Sequence, residues 1–169
     1  HYSLLDGQAD VTRLIDKAIA DGMRGMALTD HGNMMGIKDL FNHSNKVKGG
    51  ARKAIAQAQK KLDALRDGTY SADPEKDGGK GKEELIAECE ATIAQNRVAA
   101  DFKPVIGCEM YCARRKKELK ETKEDASGWH LIVLAKNEVG YHNLIKLVSR
   151  SWVDGYYYRP RTDKEDLEK

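Results

Sequence analysis

Apolar residues recur along this chain with two different periods. Val11, Leu14, Ile15, Ala18 and Ile19 fall three and four positions apart, which predicts an amphipathic helix over Asp10–Ile19. Asp10 is a natural N-cap for it and Gly22 a natural stop. Three short apolar runs, Met26–Thr29, Pro104–Tyr111 and His130–Lys136, read instead as buried strands. After the first strand comes a loop from His31 to Gly36, then a helix with Ile37, Leu40 and Phe41 on one face. Two stretches rich in Ala, Lys and Gln predict further helices. Ala51–Arg66 carries Ile55, Ala58, Leu62 and Leu65 in one stripe, and Lys82–Ala100 carries Leu85, Ile86, Cys89 and Ile93. Gly140–Val153 predicts a last long helix with Tyr141, Leu144, Ile145, Val148 and Trp152 inward. The aromatic-basic loop Gly155–Arg161 follows, and Thr162 with Glu165 reads as a capping box.

Strands alternating with helices predict an α/β unit with a largely parallel sheet. The two Ala-rich helices flank Asp67–Gly81, a polar linker that holds four of the fifteen glycines and one of the three prolines. Together they read as an antiparallel helical hairpin over residues 48–101, inserted into the surrounding unit. Surface loops accept insertions at low entropic cost, which favours a decoration over a functional arm.

Composition narrows the function classes only partly. The 169 residues suffice for one domain with a core. Hydrophobic residues make up 40% and charged residues 33%, a soluble balance, and a formal net charge of +2 is too small to argue for nucleic acid by itself. Three cysteines cannot all pair, so a disulfide framework is not expected and a reducing, cytoplasmic setting is. Cys108 and Cys112 share a strand face and suit buried thiols better than a zinc pair. No apolar run reaches the roughly 18 residues a membrane span needs, and no signal peptide is expected. Both ends read as cuts through a larger protein.

Candidate chemistry gathers at the strand ends. Thr29-Asp30-His31-Gly32-Asn33 closes the first strand with an acid and an imidazole side by side, pinned by glycine. Glu109 lies late in the second run and His130 opens the third. Parallel α/β sheets place ligands at the carboxyl ends of strands. Asp30 and His31 obey that rule and Glu109 roughly does. His130 does so only with a bulge, a reversed strand or a folded-back loop. Each residue also has a plainer reading: Asp6 before Gly7 as a turn, Asp30 as a helix cap, Glu109 as the partner of an arginine, His130 as a core imidazole. Arg114-Arg115-Lys116-Lys117 is a solvated loop or a phosphate contact.

Read in order, Tyr2-Ser3-Leu4-Leu5-Asp6-Gly7, Ala27-Leu28-Thr29-Asp30-His31-Gly32-Asn33, Lys103-Pro104-Val105-Ile106-Gly107-Cys108-Glu109 and His130-Leu131-Ile132-Val133-Leu134-Ala135-Lys136-Asn137 resemble the polymerase and histidinol phosphatase (PHP) domain of bacterial replicative DNA polymerase III alpha subunits. Gly140-Tyr141-His142-Asn143-Leu144-Ile145-Lys146-Leu147-Val148-Ser149 and Gly155-Tyr156-Tyr157-Tyr158-Arg159-Pro160-Arg161 resemble the polymerase branch rather than the small phosphatases.

The resemblance implies a distorted β/α barrel, here a partial one truncated at both ends, and residues 1–169 as a fragment of one PHP domain. It implies metal ligands at Asp6, His31, Glu109 and His130, with Asp30 behind them orienting His31, and zinc or manganese as the metal. Arg114, Arg115, Arg159 and Arg161 are then candidate phosphate contacts. The family's His-x-His pair is expected before His1, its Asp-x-His pair beyond Lys169, and His1 itself is not a carried-over ligand. The implied parent is a DNA-directed DNA polymerase acting on DNA and deoxynucleoside triphosphates. Its magnesium site lies outside these residues, its partners include other replicase subunits, and no membrane is involved. The domain is implied to be a metal-dependent phosphoesterase, a 3′–5′ exonuclease, or a structural remnant. A free-standing phosphatase similar to histidinol phosphatase and a non-catalytic binding module are the alternatives.

Overall fold

The computed structural model describes residues 7, 9–71, 73–126 and 128–168, with the side chains of 74 and 75 also left aside. Its elements are α1 (Val11–Ala20), β1 (Gly25–Leu28), α2 (Ile37–Asp67), α3 (Pro74–Asp77), α4 (Lys82–Asp101), β2 (Lys103–Ala113), β3 (Gly128–Leu134), α5 (Glu138–Val153), β4 (Arg161–Thr162) and α6 (Lys164–Leu167).

The long strand β2 is the spine of the sheet. On one edge it pairs in parallel first with β1, Gly25 opposite Lys103 through Leu28 opposite Ile106, and later with β4, Tyr111 opposite Arg161. Its other edge pairs antiparallel with β3. The sheet is therefore mixed, whereas alternation along the sequence predicts a largely parallel one. Of the three arrangements named for His130, a bulge, a reversed strand and a folded-back loop, β3 takes the reversed one.

Side-chain alternation gives the sheet two unlike faces. Met26, Leu28, Ile106, Cys108 and Met110 point toward the helices. Val11, Ile15 and Ala18 of α1, Ile37 and Leu40 of α2, and Phe102 join Leu28 in one buried cluster. Cys108 and Met110 pack with Leu144 of α5 in a second. Glu109 and Tyr111 fall on the opposite face. Burial pushes the Cys108 thiol up to about 12, which suits a packing thiol.

Local chemistry sets the helix ends. Asp10 caps α1 by accepting from the Thr12 and Arg13 amides, at 2.9 and 3.1 Å. Gly22 turns the chain out with φ +78°. Asp163, not Thr162, caps α6, accepting from the Asp166 amide at 3.1 Å, because Thr162 is held in β4.

One helix, α2, replaces the two expected between Ile37 and Arg66. Gly49 and Gly50 lie inside it, so a boundary at 48 falls mid-helix. Two helical glycines cost about 1 kcal/mol each against alanine, and the packing on either side of them outweighs that. Phe41, expected inward, is 54% exposed. Helix α4 packs back along α2 in the opposite sense: Ala51 meets Ala99 and Ala100, while Leu62 and Leu65 meet Leu85 and Cys89.

The far end of this pair is fastened by Asp77. Its buried carboxylate accepts from Lys61 Nζ at 2.7 Å, from the Tyr70 hydroxyl at 2.8 Å and from the Asp73 amide at 2.9 Å. The Lys61 ammonium chiefly, with those hydrogen bonds, draws the Asp77 carboxyl down to about 2. A folded-state value below the ordinary one means that this support is complete above about pH 4 and is lost as pH falls through about 2. Protection from hydrogen exchange at residues 70–82, taken relative to the intrinsic rate at each pH, should therefore fall below about pH 4, and Asp77→Asn should show the reduced protection already at pH 7 and lose most of that acid dependence.

Candidate metal and phosphate site

The candidate residues sit at a gap along one edge of β2. After β1 ends at Leu28, and before β4 begins at Arg161, the segment Asp30–Gly32 runs beside β2 and makes a parallel bridge, His31 opposite Glu109. The Glu109 amide donates to the Asp30 carbonyl at 3.0 Å, and the Gly32 amide donates to the Glu109 carbonyl at 2.8 Å. This pairing lays His31 against Glu109, with His31 Nδ1 3.2 Å from Glu109 Oε2.

The other edge supplies His130. The antiparallel register sets Glu109 opposite Ile132 and Tyr111 opposite His130, which makes His130 a diagonal neighbour of Glu109 on the same face. Its Nδ1 contacts Glu109 Oε1. One carboxylate thus meets two imidazoles contributed by separate segments. Exposure rises across the group, from 15% for the Glu109 side chain to 28% for His31 and 58% for His130, so the site opens on the His130 side.

Two imidazoles and a carboxylate are donors of the type that zinc and manganese take. Among the described residues, no group of three or more His, Cys, Asp or Glu side chains is spaced as a ready metal cage. Glu109 is in direct contact with its two partners. Asp6, the fourth residue of the expected set, lies outside the described residues. Asp30 is buried and does not cap α2; the N-cap there is Gly36, without a side-chain bond. In the intervening loop, Asn33 Nδ2 donates to the His31 carbonyl at 3.0 Å, and Asn33 Oδ1 accepts from the Met35 amide at 3.0 Å. His43 is engaged elsewhere, 2.7 Å from Asp16 of α1.

Of the four arginines expected at phosphate, two are committed to the fold. Arg161 is buried, and its guanidinium donates to four backbone carbonyls. This corrects its expected role as a phosphate contact, since its nitrogens are taken up by the backbone. Arg115 forms a two-pronged pair with Asp125 at 2.9 and 2.6 Å, which holds the Asp125 carboxyl far below the usual range. Arg114 lies over the Trp129 ring at 4.6 Å and Arg159 over the Tyr111 ring at 4.8 Å. Both remain exposed.

Two neighbours of the site escape the reading of the sequence. Tyr111 was legible as a residue two past Glu109, hence on its face. Trp152, expected in the core, is 47% exposed and its indole donates to the Gly32 carbonyl at 2.7 Å; no local signal announces that contact.

The sequence profile of the PHP domain matches residues 1–169. The chain is 36% identical over 171 residues to the DNA polymerase III subunit alpha of Borreliella burgdorferi, covering 99% of this chain and 10% of that protein. It is 33% identical over 168 residues to the protein of the same name from Treponema pallidum, again 99% of this chain and 10% of the relative. With the Chlamydia muridarum protein of that name the identity is 29% over 170 residues, 99% of this chain and 9% of the relative. These residues therefore span about a tenth of the curated relatives they match.

Proposed function

Because this chain belongs to the PHP domain family, we propose that it is part of the PHP domain of a replicative DNA polymerase and that Asp6, His31, Glu109 and His130 hold divalent cations for phosphodiester hydrolysis. The observation that carries this reading is the Glu109 carboxylate meeting the His31 and His130 imidazoles on one open sheet face. Zinc or manganese suits those donors. A bound cation supplies Lewis acidity, which steadies phosphate oxygens and lowers the pKa of a water toward about 7.

The chain's own residues do the rest. Glu109 presents two oxygens, one toward each imidazole, and so fixes both rings. Gly32 and Asn33 set the turn that aims His31. Asp30 stands behind that turn and orients it. The open side, past His130, is where a phosphodiester enters, and Arg114 is an exposed arginine on the continuation of β2 past Glu109.

In the same reading, the open sheet is one arc of a distorted β/α barrel, residues 1–169 belong to a single domain, and residues 48–101 are an inserted helical hairpin. The parent is a DNA-directed DNA polymerase that uses DNA, deoxynucleoside triphosphates and magnesium at a site elsewhere, works with other replicase subunits and is cytoplasmic. Among the described residues, no helix is long and apolar enough to cross a membrane.

Elemental analysis of the full-length gene product tests the ligand set. His31→Ala should lose most of the bound zinc or manganese, at least tenfold in affinity. Metal content equal to that of the unaltered protein rules the assignment out. A labelled single strand added to the metal-loaded protein separates a phosphoesterase from a scaffold: only the former shortens the strand from its 3′ end.

A further inference from the structure

Charge alone puts Arg159 at a phosphate, yet its surroundings give it another task. Its guanidinium lies 4.8 Å from the centre of the Tyr111 ring, and Nη1 donates to the Tyr111 hydroxyl at 2.9 Å. Both contacts fix one ring, since the fork reaches over its face and grips its tip. Arg159 is itself tethered, because Pro160 and Arg161, the next two residues, are buried. Tyr111 is only 5% exposed. Its ring meets the His130 imidazole edge-on, with centroids 5.1 Å apart and planes at 84°.

His130 needs such a wall. It stands on an outer strand with its side chain 58% exposed, so water bounds much of the ring. An imidazole in that position samples several rotamers, of which only some aim Nδ1 at Glu109. A buried aromatic held edge-on removes the others. Ordering a ligand before it binds raises affinity, and groups that orient ligating histidines typically contribute 10–100-fold.

We propose that Arg159 is a positioning residue: it locks the Tyr111 ring, and Tyr111 holds the His130 imidazole toward Glu109. This rests on the reading of His130 as a metal ligand. It assigns Arg159 a role that is complete without substrate, and a phosphate contact has none in substrate-free protein.

The test is competition for zinc between the full-length gene product and a chromogenic chelator, without substrate, repeated with cobalt to follow its ligand-field absorption. Arg159→Ala should weaken zinc about tenfold and shift the cobalt bands. Tyr111→Phe keeps the wall and removes only the hydroxyl that Arg159 grips, and it should weaken zinc by a smaller factor. Arg159→Lys retains a donor for that hydroxyl and should recover part of the loss. Zinc affinity unchanged in both Arg159→Ala and Tyr111→Phe overturns the proposal, including the case in which the melting temperature falls while affinity does not. Unaltered protein that takes up no zinc, or His130→Ala that binds it normally, removes the ligand reading and this inference with it.

Discussion

Arg161→Ala is expected to lower the local stability around β4 by about 4 kcal/mol, the low end of the cost of leaving four buried carbonyls without their donors. The side chain is 1% exposed. Nε donates to the Gly155 carbonyl at 3.0 Å, Nη1 to the Leu119 and Asp125 carbonyls at 3.2 and 2.7 Å, and Nη2 to the Lys117 carbonyl at 2.6 Å. No carboxylate takes part in these bonds; backbone dipoles from three stretches of chain take the place of water around the cation. Alanine leaves four carbonyls without those donors, at about 1–3 kcal/mol each where water cannot reach them. Partial solvent entry brings the total down to the stated figure. Arg161→Lys should recover little, because an ammonium offers its donors from one point and cannot fork to carbonyls this far apart. Native-state hydrogen exchange at Tyr111, Cys112 and Thr162 reads the effect as a drop in opening free energy. A change under about 1 kcal/mol would mean that the loop between Ala113 and Gly128 holds its shape without this residue.

Hydropathy patterns do well where a rule is local. Helix α1, its Asp10 cap and its Gly22 stop follow from residues within one turn of each other. The three apolar runs became β1, β2 and β3, with no end shifted by more than two residues. Strand direction left no such trace. Apolar alternation is the same read either way, so β3 alone could not reveal that it runs antiparallel. His130 seemed misplaced for that reason, and the reversal brings it beside Glu109. The boundary expected at 48 falls inside α2, where packing against α4 carries the helix past Gly49 and Gly50. Arg161 was misread because arginine is ordinarily exposed; only the fold shows a nest of carbonyls matched to its fork. The inward face of α5 was read too broadly, since Leu144 is buried whereas Ile145 and Trp152 are 38% and 47% exposed.

Gly32→Ala should cost about 3 kcal/mol and displace His31 from Glu109. Gly32 has φ +63°, where a Cβ adds about 1 kcal/mol of strain. That Cβ would also stand 2.5 Å from Pro160 Cγ and 3.3 Å from Tyr111 Cε2, an overpacking worth about another 2 kcal/mol. The turn has little room to yield. Its amide is bonded to the Glu109 carbonyl at 2.8 Å and its own carbonyl to the Trp152 indole at 2.7 Å. The two contributions separate in a double variant, because Pro160→Ala removes the ring that a new Cβ would strike and leaves φ as it was. Gly32→Ala with Pro160→Ala should therefore regain most of the packing loss and keep a deficit of about 1 kcal/mol relative to Pro160→Ala alone. Hydrogen exchange at the Gly32 and Glu109 amides reports both. If the double variant is no better than Gly32→Ala, backbone conformation rather than the packed loop is what demands glycine beside His31.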